Sequence, residues 1–190
     1  MPTCPDPSIR RAAVGTALTL AAWAGPSLAQ QNAPAPPPAP APPPPACQTA
    51  EHRQFDFWIG HWDVFGPTGK PVGENRITAI AGRCALHESW IGRGGVTGES
   101  LNIYDRGDRR WHQTWVDSSG SRLQLSGGLE GSNMVLGHTG PHDSKPGVTV
   151  RQRITWTPLP DGAVRQHWES SEDEGKTWQT LFDGRYVRRN

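Results

Sequence analysis

From residue 61 onward, turn chemistry interrupts the chain at short intervals, and this limits it to short extended segments. The interruptions are Gly66-Pro67-Thr68-Gly69, Asp105-Arg106-Gly107-Asp108, Ser118-Ser119-Gly120, Glu130-Gly131, Pro160-Asp161-Gly162 and Asp173-Glu174-Gly175. Glycine supplies positive φ, proline presets φ, and Asp and Ser bond back to nearby amides, so each cluster turns the chain. The runs between them are β-rich, with strands expected near 61–65, 72–81, 84–91, 98–105, 109–117, 121–129, 132–138, 147–157, 163–170 and 176–188. No run of about eleven residues keeps a helical period, apart from one possible turn around residues 54–59. Gly 22 and Pro 19 also disfavour long helices. Short strands joined by tight turns predict an all-β, antiparallel up-and-down barrel of about ten strands. Closure into a barrel removes exposed edges. A two-sheet sandwich is the alternative.

The first strand is announced by Phe55-Asp-Phe-Trp-Ile-Gly-His-Trp-Asp-Val64. Two tryptophans and two phenylalanines in ten residues bury a large apolar area, so a folded core begins here. Of the nine tryptophans, all but Trp23 lie beyond residue 50.

Everything earlier reads as processing signal or spacer. Residues 1–29 have the form of a secretory signal: Arg10 and Arg11, an apolar stretch over residues 12–24, then Ser27-Leu28-Ala29 as a cleavage site. Gly25-Pro26 and the shortness of the apolar run weigh against a retained membrane anchor. Residues 30–46 are a Pro/Ala-rich tract, expected to be a disordered, extended spacer. A domain over 47–190 follows, and the mature protein is expected in the periplasm or secreted. Cys4 would leave with the signal. Cys47 and Cys84 remain, and in an exported chain an even pair is expected to form a disulfide.

The opening residues carry a resemblance. Gly60-His61-Trp62, placed at the first strand of a β domain, resembles the opening of lipocalin-type (calycin) barrels. The wider Phe55–Val64 string is similar to a family of secreted bacterial proteins bearing a domain of unknown function. That likeness spans roughly residues 47 to 189. It implies a calycin-like fold and carries no established activity. It also implies a structural role for Trp62, with an arginine near the chain end stacked on its indole. Arg185 and Arg188 are the candidates.

Alternation along the strands assigns faces. Val148, Val150, Gln152, Ile154 and Trp156 share one side, against Thr149, Arg151, Arg153 and Thr155. Val164, Gln166 and Trp168 likewise oppose Arg165, His167 and Glu169. A polar residue recurs two positions before an inward tryptophan, in Glu88-x-Trp90, Gln113-x-Trp115 and Gln166-x-Trp168. Flat apolar surface with a few fixed polar groups is the composition of a small-molecule site. The candidate ligand-binding residues are therefore Glu88, Trp90, Gln113, Trp115, Gln152, Gln166 and Trp168. The plainer alternative is a filled core whose polar groups bond to one another.

Other chemistry is less well supported. Lys+Arg 19 balance Asp+Glu 18 with no basic block, so nucleic acid is not an expected partner. Ser171-x-Asp173-x-Gly175-x-Thr177-Trp178 matches the Asp-box hairpin of sialidase propellers, but a single copy points to a structural turn. His138-x-x-x-His142 straddles Gly140-Pro141 and is expected in a loop, with no metal. Nitrobindin-type barrels hold haem through one histidine. His87, His112 and His167 lie on strands here, without a haem motif, so no cofactor is expected. For acid–base work Glu88, Asp117 and Glu169 are the carboxylates to consider, with Glu88 the candidate general base. Ser118-Ser119-Gly120 is not a nucleophile elbow, and no catalytic constellation is visible. The expected protein is a monomer that binds a small molecule and has no transmembrane anchor once processed. An enzyme using the same cavity and a filled envelope barrel are the alternatives.

Overall fold

The computed structural model describes residues 46–142 and 144–189. The secretory signal expected over 1–29 and all but the last residue of the spacer over 30–46 lie outside the described residues. Ten strands follow one another: β1 (Gly60–Phe65), β2 (Pro71–Ile80), β3 (Ala85–Gly92), β4 (Thr97–Asp105), β5 (Arg110–Asp117), β6 (Arg122–Glu130), β7 (Asn133–Pro141), β8 (Thr149–Pro158), β9 (Val164–Ser171) and β10 (Gln179–Arg188). Each pairs antiparallel with its neighbour in sequence, and β1 pairs with β10 to close the barrel. The sandwich alternative is thereby excluded. Every expected strand is present, with ends within a few residues of the turn signals. β7 runs on to Pro141, past the expected end at residue 138, so Gly140-Pro141 lies on a strand rather than in the expected loop.

One end of the barrel is sealed by the segment that precedes β1. Two 3-10 turns, Glu51–Arg53 and Asp56–Trp58, bring Phe55 and Trp58 over that end, both fully buried. Phe55 stacks on Trp58 at 4.9 Å and meets Trp111 and Trp156 edge-on at 5.6 and 5.1 Å. Offset and edge-to-face contacts of this kind add to the hydrophobic gain. Two indole N–H groups are satisfied, Trp111 Nε1 donating to Gln54 Oε1 at 3.1 Å and Trp62 Nε1 to the Trp58 carbonyl at 2.9 Å, whereas Trp58 Nε1 is buried without a partner. Arg188 lies 4.4 Å over the Trp62 ring, so it, and not Arg185, is the stacked arginine. Arg185 pairs with Asp161 instead. A Cβ at residue 60 would fall 2.7 Å from Arg188 Nη1 and 2.9 Å from the Trp62 ring, which is why glycine precedes this tryptophan.

Cys47 and Cys84 are bridged, with a Cα–Cα distance of 5.0 Å across a sequence separation of 37. The bridge anchors the plug to the connection before β3. Beside it Asp56 accepts from Arg53 at 3.3 Å and Arg83 at 2.8 Å. Closing such a loop is worth roughly 3–4 kcal/mol by chain entropy. Thiol titration of unreduced protein in denaturant should therefore find neither cysteine, and reduction should lower stability by about that amount. Two titratable thiols would show the bridge does not form.

The β9–β10 connection is the Asp-box turn. Asp173 Oδ1 accepts from the Thr177 amide and the Ser171 hydroxyl at 2.8 Å, and Oδ2 accepts from the Thr177 hydroxyl at 2.6 Å. The Thr177 hydroxyl and amide hold the Asp173 carboxyl far below the usual carboxylate range. Trp178 donates to the Gly175 carbonyl at 3.1 Å and carries Arg153 at 4.3 Å from its ring. Every polar group of the motif is spent on the turn, in keeping with a structural role.

Candidate functional site: an open cavity at the unsealed end

Opposite the plug, β3, β5 and β9 turn their tryptophans into the barrel and leave a cavity of about 240 Å³. That is larger than the ~150 Å³ apolar hole known to take up benzene. Six of the seven residues expected to bind a ligand line it: Glu88, Trp90, Gln113, Trp115, Gln166 and Trp168. Phe182 joins them, its ring edge-on to Trp90 at 6.0 Å. Val96 and Leu181, 43% and 46% exposed, stand at the mouth and mark the open side. The Trp115 indole lies over Gly98 of the neighbouring strand, where an added Cβ would sit 2.2 Å from its ring. Glycine there lets the indole rest against the wall instead of filling the barrel.

The inner wall is polar, and strand register explains its assembly. Glu88 faces Ser100 across β3–β4, Ser100 faces Trp115 across β4–β5, and Asn102 faces Gln113 one step deeper. Asn75 Nδ2 donates to Glu88 Oε1 at 2.7 Å, and the Ser100 hydroxyl donates to Glu88 Oε2 at 2.6 Å. Asn102 Nδ2 donates to Ser100 Oγ at 2.9 Å. Burial pushes the Glu88 carboxyl up to about 7, against the opposing pull of the Ser100 and Asn75 bonds. Burial also raises the Tyr186 hydroxyl well above its ordinary value, and the nearby Glu88 charge adds to this.

The two glutamines differ in their bonding. Gln166 Oε1 accepts from both the Tyr186 hydroxyl and Trp156 Nε1, so it serves the core as an acceptor. Gln113 is equally close to the cavity, yet its amide makes only a long 3.4 Å bond to Ser100 Oγ. Gln152 stands apart from the other candidates. Its Oε1 accepts from Trp168 Nε1 at 2.9 Å, and it borders a second hollow of about 790 Å³. That hollow opens where the β6–β7 ladder, paired from Glu130–Asn133 to Ser126–Gly137, gives out.

Asp117 was not among the expected ligand contacts, and it lies at the mouth. Its Oδ2 accepts from Trp115 Nε1 at 3.2 Å, while Oδ1 takes the Ser119 amide at 2.9 Å. The Ser119 hydroxyl foremost, then the Trp115 indole, hold this carboxyl below its usual value. Glu169 lies outside, as alternation predicted, bonded to Arg153 at 3.0 Å. His87, His112 and His167 are also outward, bonded to Glu99, Asp108 and Thr180 at 2.6, 2.8 and 3.0 Å. No histidine is among the cavity's lining residues, so the cavity offers no axial imidazole.

Asn75, Ser100, Asn102 and Tyr186 were not legible from the sequence as wall residues. The β4 strand shows why. Ser100 and Asn102 are 2% and 0% exposed, whereas Leu101 and Ile103 are 54% and 42% exposed. A rule that sends apolar residues inward reverses this strand. The usable signal was the pairing partner: a strand whose neighbour carries an inward Glu88 needs donors opposite it.

No protein-family model matches the chain, and no curated protein does.

Proposed function

We propose that this chain is an exported, calycin-like barrel that binds one small organic molecule, part aromatic and part polar, in the open cavity. The observation that carries this reading is the lining itself: three tryptophans and Phe182 around a wall that holds Glu88 and the under-bonded Gln113. Stability alone favours apolar residues at such positions, since a buried amide lacking good partners costs about 1–3 kcal/mol. Ligand recognition gives those groups a use. Export is supported by the signal-like residues 1–29 and by the Cys47–Cys84 bridge, which persists in an oxidising compartment. Among the described residues no helix is long and apolar enough to cross a membrane.

The two amides provide the test. Small aromatic compounds should quench the tryptophan fluorescence of the wild type. Gln113→Leu should weaken that binding by about tenfold, as for one buried hydrogen bond, with little change in stability. Gln166→Leu should instead lose roughly 2–5 kcal/mol of stability, because the Tyr186 hydroxyl and the Trp156 indole N–H lose their acceptor. If no compound binds and Gln113→Leu also unfolds the protein, the barrel is a filled scaffold.

A second reading is favoured by one observation. A carboxyl raised to about 7 beside an open space suits a general base working near neutral pH, so the same cavity can house an enzyme with Glu88 abstracting a proton. Glu88→Gln would then abolish turnover while leaving binding in place.

A further inference from the structure

The cavity has a sign. Both acidic residues in its lining, Asp117 at the mouth and Glu88 on the inner wall, are matched by no Lys, Arg or His among the described residues that form it. The remaining charge distribution has the same sense: Trp90, Trp115, Trp168 and Phe182 present aromatic rings, whose faces attract cations through the ring quadrupole. The polar groups at hand also accept. Asp117 Oδ2, at the mouth, holds only the Trp115 indole. Of the basic side chains on the outer surface, Arg153 turns to Glu169 and the Trp178 ring and Lys145 to Glu172, while Arg93 and Arg122, in and beside the turns at the mouth, are not among the lining residues. An anionic ligand would enter a site with two carboxylates and no counter-charge, whereas a cation would meet both.

We propose that the cavity selects an organic ammonium ion with an aromatic or apolar body, held between Asp117 and Glu88 and flanked by the tryptophans. This rests on the reading of the cavity as a ligand site and narrows it to one chemical class. The ammonium N–H groups donate to the carboxylates, and the body of the molecule packs on Trp90, Trp115 and Phe182. Charge-assisted bonds in a partly desolvated site are stronger than neutral ones. Asp117 stays ionised at neutral pH because Ser119 and Trp115 already donate to it, so a counter-charge awaits the ligand at the entrance.

Three probes of one size and different charge test this: benzylamine, benzyl alcohol and benzoate, titrated by calorimetry into the oxidised protein at pH 8. Benzylamine should bind at least tenfold more tightly than benzyl alcohol, and benzoate more weakly than either. The double change Asp117→Asn with Glu88→Gln should shrink the advantage of benzylamine over benzyl alcohol to within about threefold. Val96→Lys, a change at the exposed mouth that leaves the core alone, should weaken benzylamine several-fold and strengthen benzoate. Benzyl alcohol or benzoate binding as tightly as benzylamine would overturn the charge selection while leaving an aromatic-ligand cavity standing. Failure of all three to bind at millimolar concentration would remove both readings together.

Discussion

Trp62→Ala should unfold about 3–5 kcal/mol more easily than the wild type, the largest single-residue loss expected here. The indole is fully buried, so truncation removes its transfer free energy and leaves a cavity beside Tyr186, whose ring lies 6.4 Å away. Two further contacts go with it. The Trp58 carbonyl loses its 2.9 Å donor, and Arg188 loses the ring it covers at 4.4 Å. The last is worth about 1–2 kcal/mol when partly desolvated. Trp62 is absent from the cavity lining, so the residual folded protein should keep its ligand affinity. Denaturant titration followed by far-UV dichroism reads the first effect. An unchanged midpoint would place the indole on the surface.

Glu88→Gln should change the pH dependence of stability, with a largest effect of roughly 3 kcal/mol above neutrality. In the unfolded chain this carboxyl ionises near its ordinary 4.5, whereas burial in the folded barrel raises it to about 7. Between those values the unfolded chain has released a proton that the folded chain still holds. The wild type therefore loses stability as pH climbs from about 4.5 to 7, and the loss is complete above that. At ~1.36 kcal/mol per pH unit, the interval amounts to roughly 3 kcal/mol. The facing groups are Asn75 from β2, Ser100 from β4 and Tyr186 from β10, with Glu99 and His87 acting from outside the barrel. Of these, Tyr186 stays neutral throughout the range, since burial lifts its hydroxyl well above the ordinary value. All other titrating groups are common to both proteins and drop out of the difference. The variant should therefore gain on the wild type across pH 4.5 to 7 and hold that gain at pH 8. A stability difference that stays flat from pH 4 to pH 8 would mean Glu88 is ionised and hydrated in the folded state.

Turns, strands and faces are local properties, and they were legible from residue types alone. Asp-x-Gly, Pro-Asp-Gly and Ser-Ser-Gly clusters dictate where a chain must reverse, so all ten strands could be placed. Period-two alternation puts residues i and i+2 on one side, so the pairs Glu88 with Trp90 and Gln113 with Trp115 reached one cavity as expected. The Phe55–Val64 string was dense enough in aromatics to be read as core, and its first half became the plug while the rest became β1.

What alternation cannot supply is register, because which residue lies opposite which depends on strands that are far apart in sequence. Register alone set Ser100 against Glu88 and thereby turned Leu101 and Ile103 outward, against the apolar-inward rule. It joined Tyr186 of β10 to Asn75 of β2 across β1, 111 residues apart, and gave Gln166 to the core while leaving Gln113 to the cavity. It also chose Arg188 over Arg185 for the Trp62 ring, since β10 pairs Arg188 directly with Trp62. A buried carboxylate must find donors wherever the closed barrel brings them, and closure is a property of all ten strands together. The kinds of residue in the cavity were therefore written locally, and their partners were decided only by the tertiary fold.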